Sequence, residues 1–202
     1  MMASMDELRA GVRRSLPEVE LITDTDLGDK VVEAWALCLS QSEFTSIDEI
    51  IGAGGPDTSP LRGGTQTDHI RGVTRMALGL VDQLAEVVGD SGIDRDLLIA
   101  CALCHDVGKP FEFSHANQKR WRDNPGASGY PAIRHSVYGV HICLTVGLPE
   151  AVAHTAGAHS REGDFIMRSL ENTVVNYADH AFWAILERAG RLEPLADGRV
   201  VT

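Results

Sequence analysis

The chain has 202 residues, 44% of them hydrophobic, which suits one domain that buries about 70% of the surface its unfolded form exposes. Its 18 basic residues are outnumbered by 29 acidic ones, for a formal net charge of −11, which argues against nucleic acid as a partner because phosphate-backbone binding needs a basic surface. No apolar run reaches the ~18 residues that span a bilayer, and the opening MMASMDELRAGVRRS has no apolar stretch after a basic start, so no membrane partner is expected and the chain reads as cytoplasmic.

Helical periodicity dominates and no alternating strand pattern is found, which predicts an all-α bundle. Residues 1–60 read as an N-terminal helical extension packed on the core, with an amphipathic helix at 26–41, DLGDKVVEAWALCLSQ. The glycine-rich GAGGPDTSPLRGGTQ at 52–66 is irregular, and it is not read as a phosphate loop because it lacks the G-K-[ST] ending and no strand precedes it. The main body, 61–190, begins with a helix at 67–88, and a third helix at 94–107 has Asp94 as N-cap, with Gly108 and then Pro110 as its stop. Residues 110–131, rich in Pro, Gly and polar side chains, are expected to form a loop covering a site, with a short helix around Lys119–Trp121. Segments 132–146, 149–159 and 165–189 complete the bundle, and 191–202 is a C-terminal tail of the same structural domain.

The stretch CALCHDVGKP at 101–110 has two readings. Cys101, Cys104 and His105 match C-x-x-C-H, the pattern of c-type haem attachment. That attachment follows export, for which the chain shows no signal, so no haem is expected. Cys38, Cys101, Cys104 and Cys143 are scattered through apolar segments and read as buried free thiols, and no second Cys pair follows at zinc-finger spacing. Shifted by one residue, His105-Asp106 becomes an adjacent imidazole and carboxylate, suited to a hard or borderline metal ion.

Residues three, four and seven apart share a helix face. His69 aligns with Val73, Met76 and Leu80; His135 with Tyr138, Ile142 and Val146; His159 with Val152, Thr155 and Ala156; Asp179 with Val175, Phe182 and Leu186. Each therefore faces inward, whereas His141, His154 and His180 point elsewhere and His115 lies in the loop as a candidate substrate contact. A single inward His is commonly a core imidazole bonded to a carbonyl. Four His and two Asp in one bundle core need many separate hydrogen-bond solutions, or one or two cations that satisfy them together.

The ordered set His69, His105-Asp106, His135, His159 and Asp179, with H-D-x-G-K at 105–109, resembles the HD-domain metalloprotein superfamily over roughly residues 65–186. The resemblance implies a helical bundle with a buried metal site. In it His69, His105, Asp106 and Asp179 would hold one metal, and His135 and His159 would complete a second, with Asp106 bridging. Lys109 corresponds to a lysine that reaches substrate oxygens or phosphate in several branches. The Gly-Tyr-Pro at 129–131 precedes His135 instead of following the later His pair, so a cyclic-dinucleotide substrate is not inferred.

Such a site implies hydrolysis of a small phosphate ester or nucleotide by a metal-bound hydroxide, since paired cations lower the pKa of water and neutralise developing charge. Asp106 and Lys109 are the expected catalytic residues, with Lys109, Arg161 and His115 as candidate contacts for a small anionic substrate. Lys119, Arg120, Arg122 and Arg134 are further sources of positive charge. Iron or manganese is the first expectation for the metal, with magnesium, nickel, cobalt and zinc also suited. Diiron oxygenases of the same fold use the same four-His, two-Asp set to cleave a C–C or C–P bond of a hydroxylated substrate. The 24-residue interval from His135 to His159 resembles that branch. A homodimer is compatible with these features.

Overall fold

The computed structural model describes residues 3–202; Met1 and Met2, the first residues of the expected N-terminal extension, lie outside the described residues. In chain order the helices are α1 (Met5–Ser15), α2 (Thr25–Ser40), α3 (Gln66–Val88), α4 (Arg95–Cys104), α5 (Lys109–Phe113), α6 (His115–Asp123), α7 (Pro125–Ser128), α8 (His135–Thr145), α9 (Glu150–Ala158) and α10 (Leu170–Arg188). Among the described residues there is no β-strand, and isolated bridges join Ile51 to Thr65 and Leu61 to Leu192. The fold is all-α, as the periodicity predicts. Among the same residues, no helix is long and apolar enough to cross a membrane.

Helix starts follow local chemistry. Ser4 and Glu7 form a reciprocal capping box on α1, Asp24 accepts from two amides of α2, and Thr65 with Asp68 boxes the start of α3. Asp94 caps α4 as expected, accepting from the Leu97 amide at 3.0 Å. The stop differs from expectation: α4 ends at Cys104, and Pro110 belongs to the first turn of α5. A first-turn proline removes only an amide that has no helical partner, so it starts a helix where a sequence reading expects an end. The segment expected as a loop, 110–131, instead carries most of α5 and all of α6 and α7, with Phe113 and Trp121 packed inward. Its apolar positions are too sparse for periodicity to register. The last helix begins at Leu170, not 165, because the Ser169 hydroxyl caps it, leaving Phe165 and Met167 on the surface.

One apolar core runs through the bundle, from Leu8, Val12 and Leu16 through Trp35, Leu98, Ile99 and Leu103 to Ile142, Val152 and Val175. The N-terminal segment is tied to it by polar links as well. Buried Glu18 accepts from Arg71 and Arg75 of α3, and the Trp35 indole donates to Leu103 O at 2.9 Å. The second bond satisfies a carbonyl in the last turn of α4, where the helix itself leaves none bonded. Two glycines permit close helix approach. A Cβ on Gly108 would lie 2.1 Å from His135 O, and one on Gly72 would lie 2.4 Å from the Phe182 ring. Gly108 thus seats the turn after His105-Asp106 directly on the start of α8.

Candidate metal centre

All six residues singled out by their inward faces meet in the bundle core, and all six are buried. His69 comes from the first turns of α3 and Asp179 from the middle of α10. His105 and Asp106 follow α4, His135 opens α8 and His159 closes α9. Asp106 lies between two groups of imidazoles. Its Oδ2 is 3.2 Å from His69 Nε2 and 3.6 Å from His105 Nε2; its Oδ1 is 3.1 Å from His135 Nε2 and 3.5 Å from His159 Nε2. Asp179 Oδ1 joins the first group, 3.4 Å from His69 Nε2. Two sets of ligand atoms, one from His69, His105 and Asp106 and one from Asp106, His135 and His159, are close enough for each to hold an ion.

Hydrogen bonds on the far side of the rings decide which nitrogen faces inward. Ala102 O, 2.6 Å from His105 Nδ1, can only accept, so that nitrogen carries the hydrogen and Nε2 presents a lone pair. His159 Nδ1 donates in the same way to Thr155 O and Ala156 O at 3.2 and 3.1 Å. Glu112 accepts from His135 Nδ1. His69 Nδ1 is buried without a partner, its ring stacked on Trp183 at 4.8 Å and met edge-on by Phe182 at 4.9 Å.

This donor set fits a divalent cation. Lone pairs from imidazoles and carboxylates converge, and Asp179 Oδ1 is buried with no hydrogen-bond partner, a costly state that a cation relieves. The electrostatics agree. Burial pushes the His105 imidazole down to about 4, so it is neutral at pH 7. Burial would raise the Asp106 carboxyl, but Lys109, His105 and His135 overcome it and hold Asp106 well below the usual range. Burial also opposes a proton on His159, yet Asp106 and Asp179 keep its pKa raised; the field that draws a proton there draws a cation too.

Lys109 lies at this centre. It is 1% exposed; its Nζ is 3.9 Å from Asp106 Oδ2 and donates to the carbonyls of Ala53 and Gly54 at 2.7 and 2.6 Å. The other expected substrate contacts are placed differently. His115 is on the surface beside Glu43 at 2.9 Å, its side chain 87% exposed, because α6 turns it outward, and Arg161 is exposed in the turn after His159. Arg134 is held between Glu112 and Glu162, Lys119 pairs with Asp123, and Arg122 pairs with Asp57, so their charges are largely compensated. His141 and His180 are exposed, and half-buried His154 accepts from the Ser169 amide. The Cys101 thiol packs in the core, where burial pushes it up to about 12.

Two polar residues at the centre escaped the sequence reading. Gln66 Nε2 donates to Asp106 Oδ2 at 2.7 Å, and its Oε1 is buried without a partner. Its signal was available, because it lies three residues before His69 on one helix face. Glu112 carried no such signal, since it falls in the segment read as a loop.

A family model described as HD domain matches residues 67–181, more than half of the chain. The chain belongs to the HD-domain family. The matched span runs from two residues before His69 to two after Asp179 and so contains the whole cluster. Comparison with curated proteins and with solved structures finds no match. HD domains bind divalent metals, and the family consists mostly of metal-dependent phosphohydrolases. The buried His and Asp groups of this HD domain are able to hold metal ions.

Proposed function

We propose that this HD domain is a metal-dependent hydrolase of a small phosphate ester or nucleotide, with two cations in the core and Asp106 between them. The observation that carries this reading is the division of Asp106, whose Oδ2 faces His69 and His105 while its Oδ1 faces His135 and His159. A divalent pair supplies a hydroxide source at neutral pH and positive charge for the phosphoryl oxygens. The protein's part is orientation and charge. His69, His105, Asp106 and Asp179 would hold one cation and Asp106, His135 and His159 the other. Lys109 has three N–H donors and spends two on Ala53 O and Gly54 O, leaving one for a substrate oxygen beside Asp106. Gln66 holds the Asp106 carboxylate by its Oδ2, and the Trp183 and Phe182 rings shield His69 from bulk water.

The second reading, a diiron oxygenase acting on a small hydroxylated substrate, would use the same four imidazoles and two carboxylates, and what favours it is the 24-residue interval from His135 to His159. The test begins with elemental analysis of protein purified without chelators. It continues with turnover of a phosphomonoester and nucleotide panel with manganese, in air and under anaerobic conditions. Hydrolysis that is indifferent to O2 supports the proposal. Two irons per chain with substrate-dependent O2 uptake, and no phosphate released, would overturn it in favour of the oxygenase.

A further inference from the structure

The four imidazoles of the centre do not obtain their outer hydrogen bonds in the same way, and the difference follows from where each sits on its helix. His105 and His159 stand at the C-terminal ends of α4 and α9, where carbonyls face the rings: His105 Nδ1–H donates to Ala102 O, and His159 Nδ1–H is shared between Ala156 O and Thr155 O, the latter also accepting from the His159 backbone amide. His135 stands at the first position of α8. The free backbone groups at a helix N-terminus are amides, so no acceptor for an imidazole N–H is at hand there. Glu112 fills that role from outside the helix. It is fully buried in α5, and Gly108 makes its approach possible by letting α5 rest on the backbone of His135.

The Glu112 carboxylate is divided between two neighbours. Oε2 accepts from His135 Nδ1, and Oε1 accepts from Arg134 Nη1 at 2.8 Å. Arg134 Nε in turn donates to Glu162 Oε1 at 3.0 Å, three residues after His159. The chain from His135 through Glu112 and Arg134 to Glu162 therefore ties together the two helix ends that carry His135 and His159. Arg134 compensates the charge of Glu112, so the carboxylate can accept the imidazole hydrogen without an unpaired buried anion.

We propose that Glu112 is a positioning residue for one half of the centre: it fixes the His135 ring with Nε2 toward Asp106 Oδ1, so cation binding by Asp106, His135 and His159 depends on it while binding by His69, His105 and Asp179 does not. The inference rests on the two-cation reading above. Loss of such an outer carboxylate lowers metal affinity by roughly 10–100-fold. A fault in folding would weaken both cations together.

The test is manganese titration of the metal-free full chain by calorimetry, with bound metal counted by elemental analysis. The wild type is expected to take two ions. Glu112→Gln, nearly the same shape, is expected to weaken one binding event by roughly 10–100-fold and leave the other within about twofold. Added to His135→Ala, the same change is expected to have no further effect, because Glu112 acts through that ring. Two unchanged events in Glu112→Gln, or an equal loss of both, overturns the role of Glu112 while the two-cation reading stands. A wild type that takes no more than one ion overturns the two-cation reading, and this inference with it.

Discussion

The α3–α10 side of the buried His and Asp cluster and its α8–α9 side bring their side chains together around Asp106 by different means. His69 and Asp179 sit within long helices, where backbone carbonyls near them are already bonded, and aromatic rings wall in His69: Trp183 stacks on it and Phe182 meets its edge. His135 and His159 sit at helix ends, where unpaired backbone groups and an added carboxylate hold the rings. Ligands inside helices inherit rigidity from the helix and need only packing. Ligands at helix ends, His105 of the first half among them, depend on the chain around them, and because His135 and His159 both stand at such ends the second half should be the more easily broken.

On the two-cation reading, the largest effect is expected at the residue the two halves share. Asp106→Ala should release all bound metal and abolish turnover. It should also cost about 3–5 kcal/mol, because Lys109 and the Gln66 amide lose their buried partner; elemental analysis and urea denaturation measure both outcomes. Gly108→Ala places a methyl 2.1 Å from His135 O and should cost about 1–3 kcal/mol, weakening the cation at the α8–α9 half more than the other in the same manganese titration. Asp179→Asn is its counterpart. It should weaken only the cation at the α3–α10 half, and a loss at both would show that the halves are not separable.

Smaller effects are expected away from the ligands. Trp35→Phe leaves Leu103 O without its donor, in the turn that delivers His105, and should cost about 1–3 kcal/mol of unfolding free energy with metal stoichiometry preserved. Glu162 gives the smallest change. Burial works against its charge, but the Ser160 hydroxyl and Arg134 lower it from 4.5 to about 2. A depressed carboxyl stabilises the folded chain above its unfolded pKa, so this contribution is present above pH 4.5 and is lost as pH falls toward 2. Glu162→Gln should flatten the acid limb of a stability–pH curve by less than about 2 kcal/mol, since the side chain is partly exposed.

The sequence alone determined the helical class and the identity of the six converging residues. Helix periodicity is a local property, and an inward His or Asp is legible wherever apolar neighbours mark the face, as Val73 and Met76 do for His69. The cap at Asp94 was legible for the same reason, because the capping side chain and the amide it bonds lie three residues apart. Only the tertiary structure decided what surrounds those six. Glu112 lies 23 residues from His135, Lys109 bonds carbonyls 55 and 56 residues away, and Trp35 reaches across 68 residues to α4. Such partners meet because separate helices pack, and Gly108 shows how fine the condition is: a single methyl group there would clash with the backbone of His135. Helix ends carry unpaired backbone groups whose partners come from elsewhere in the chain, and no local pattern encodes which residue will arrive.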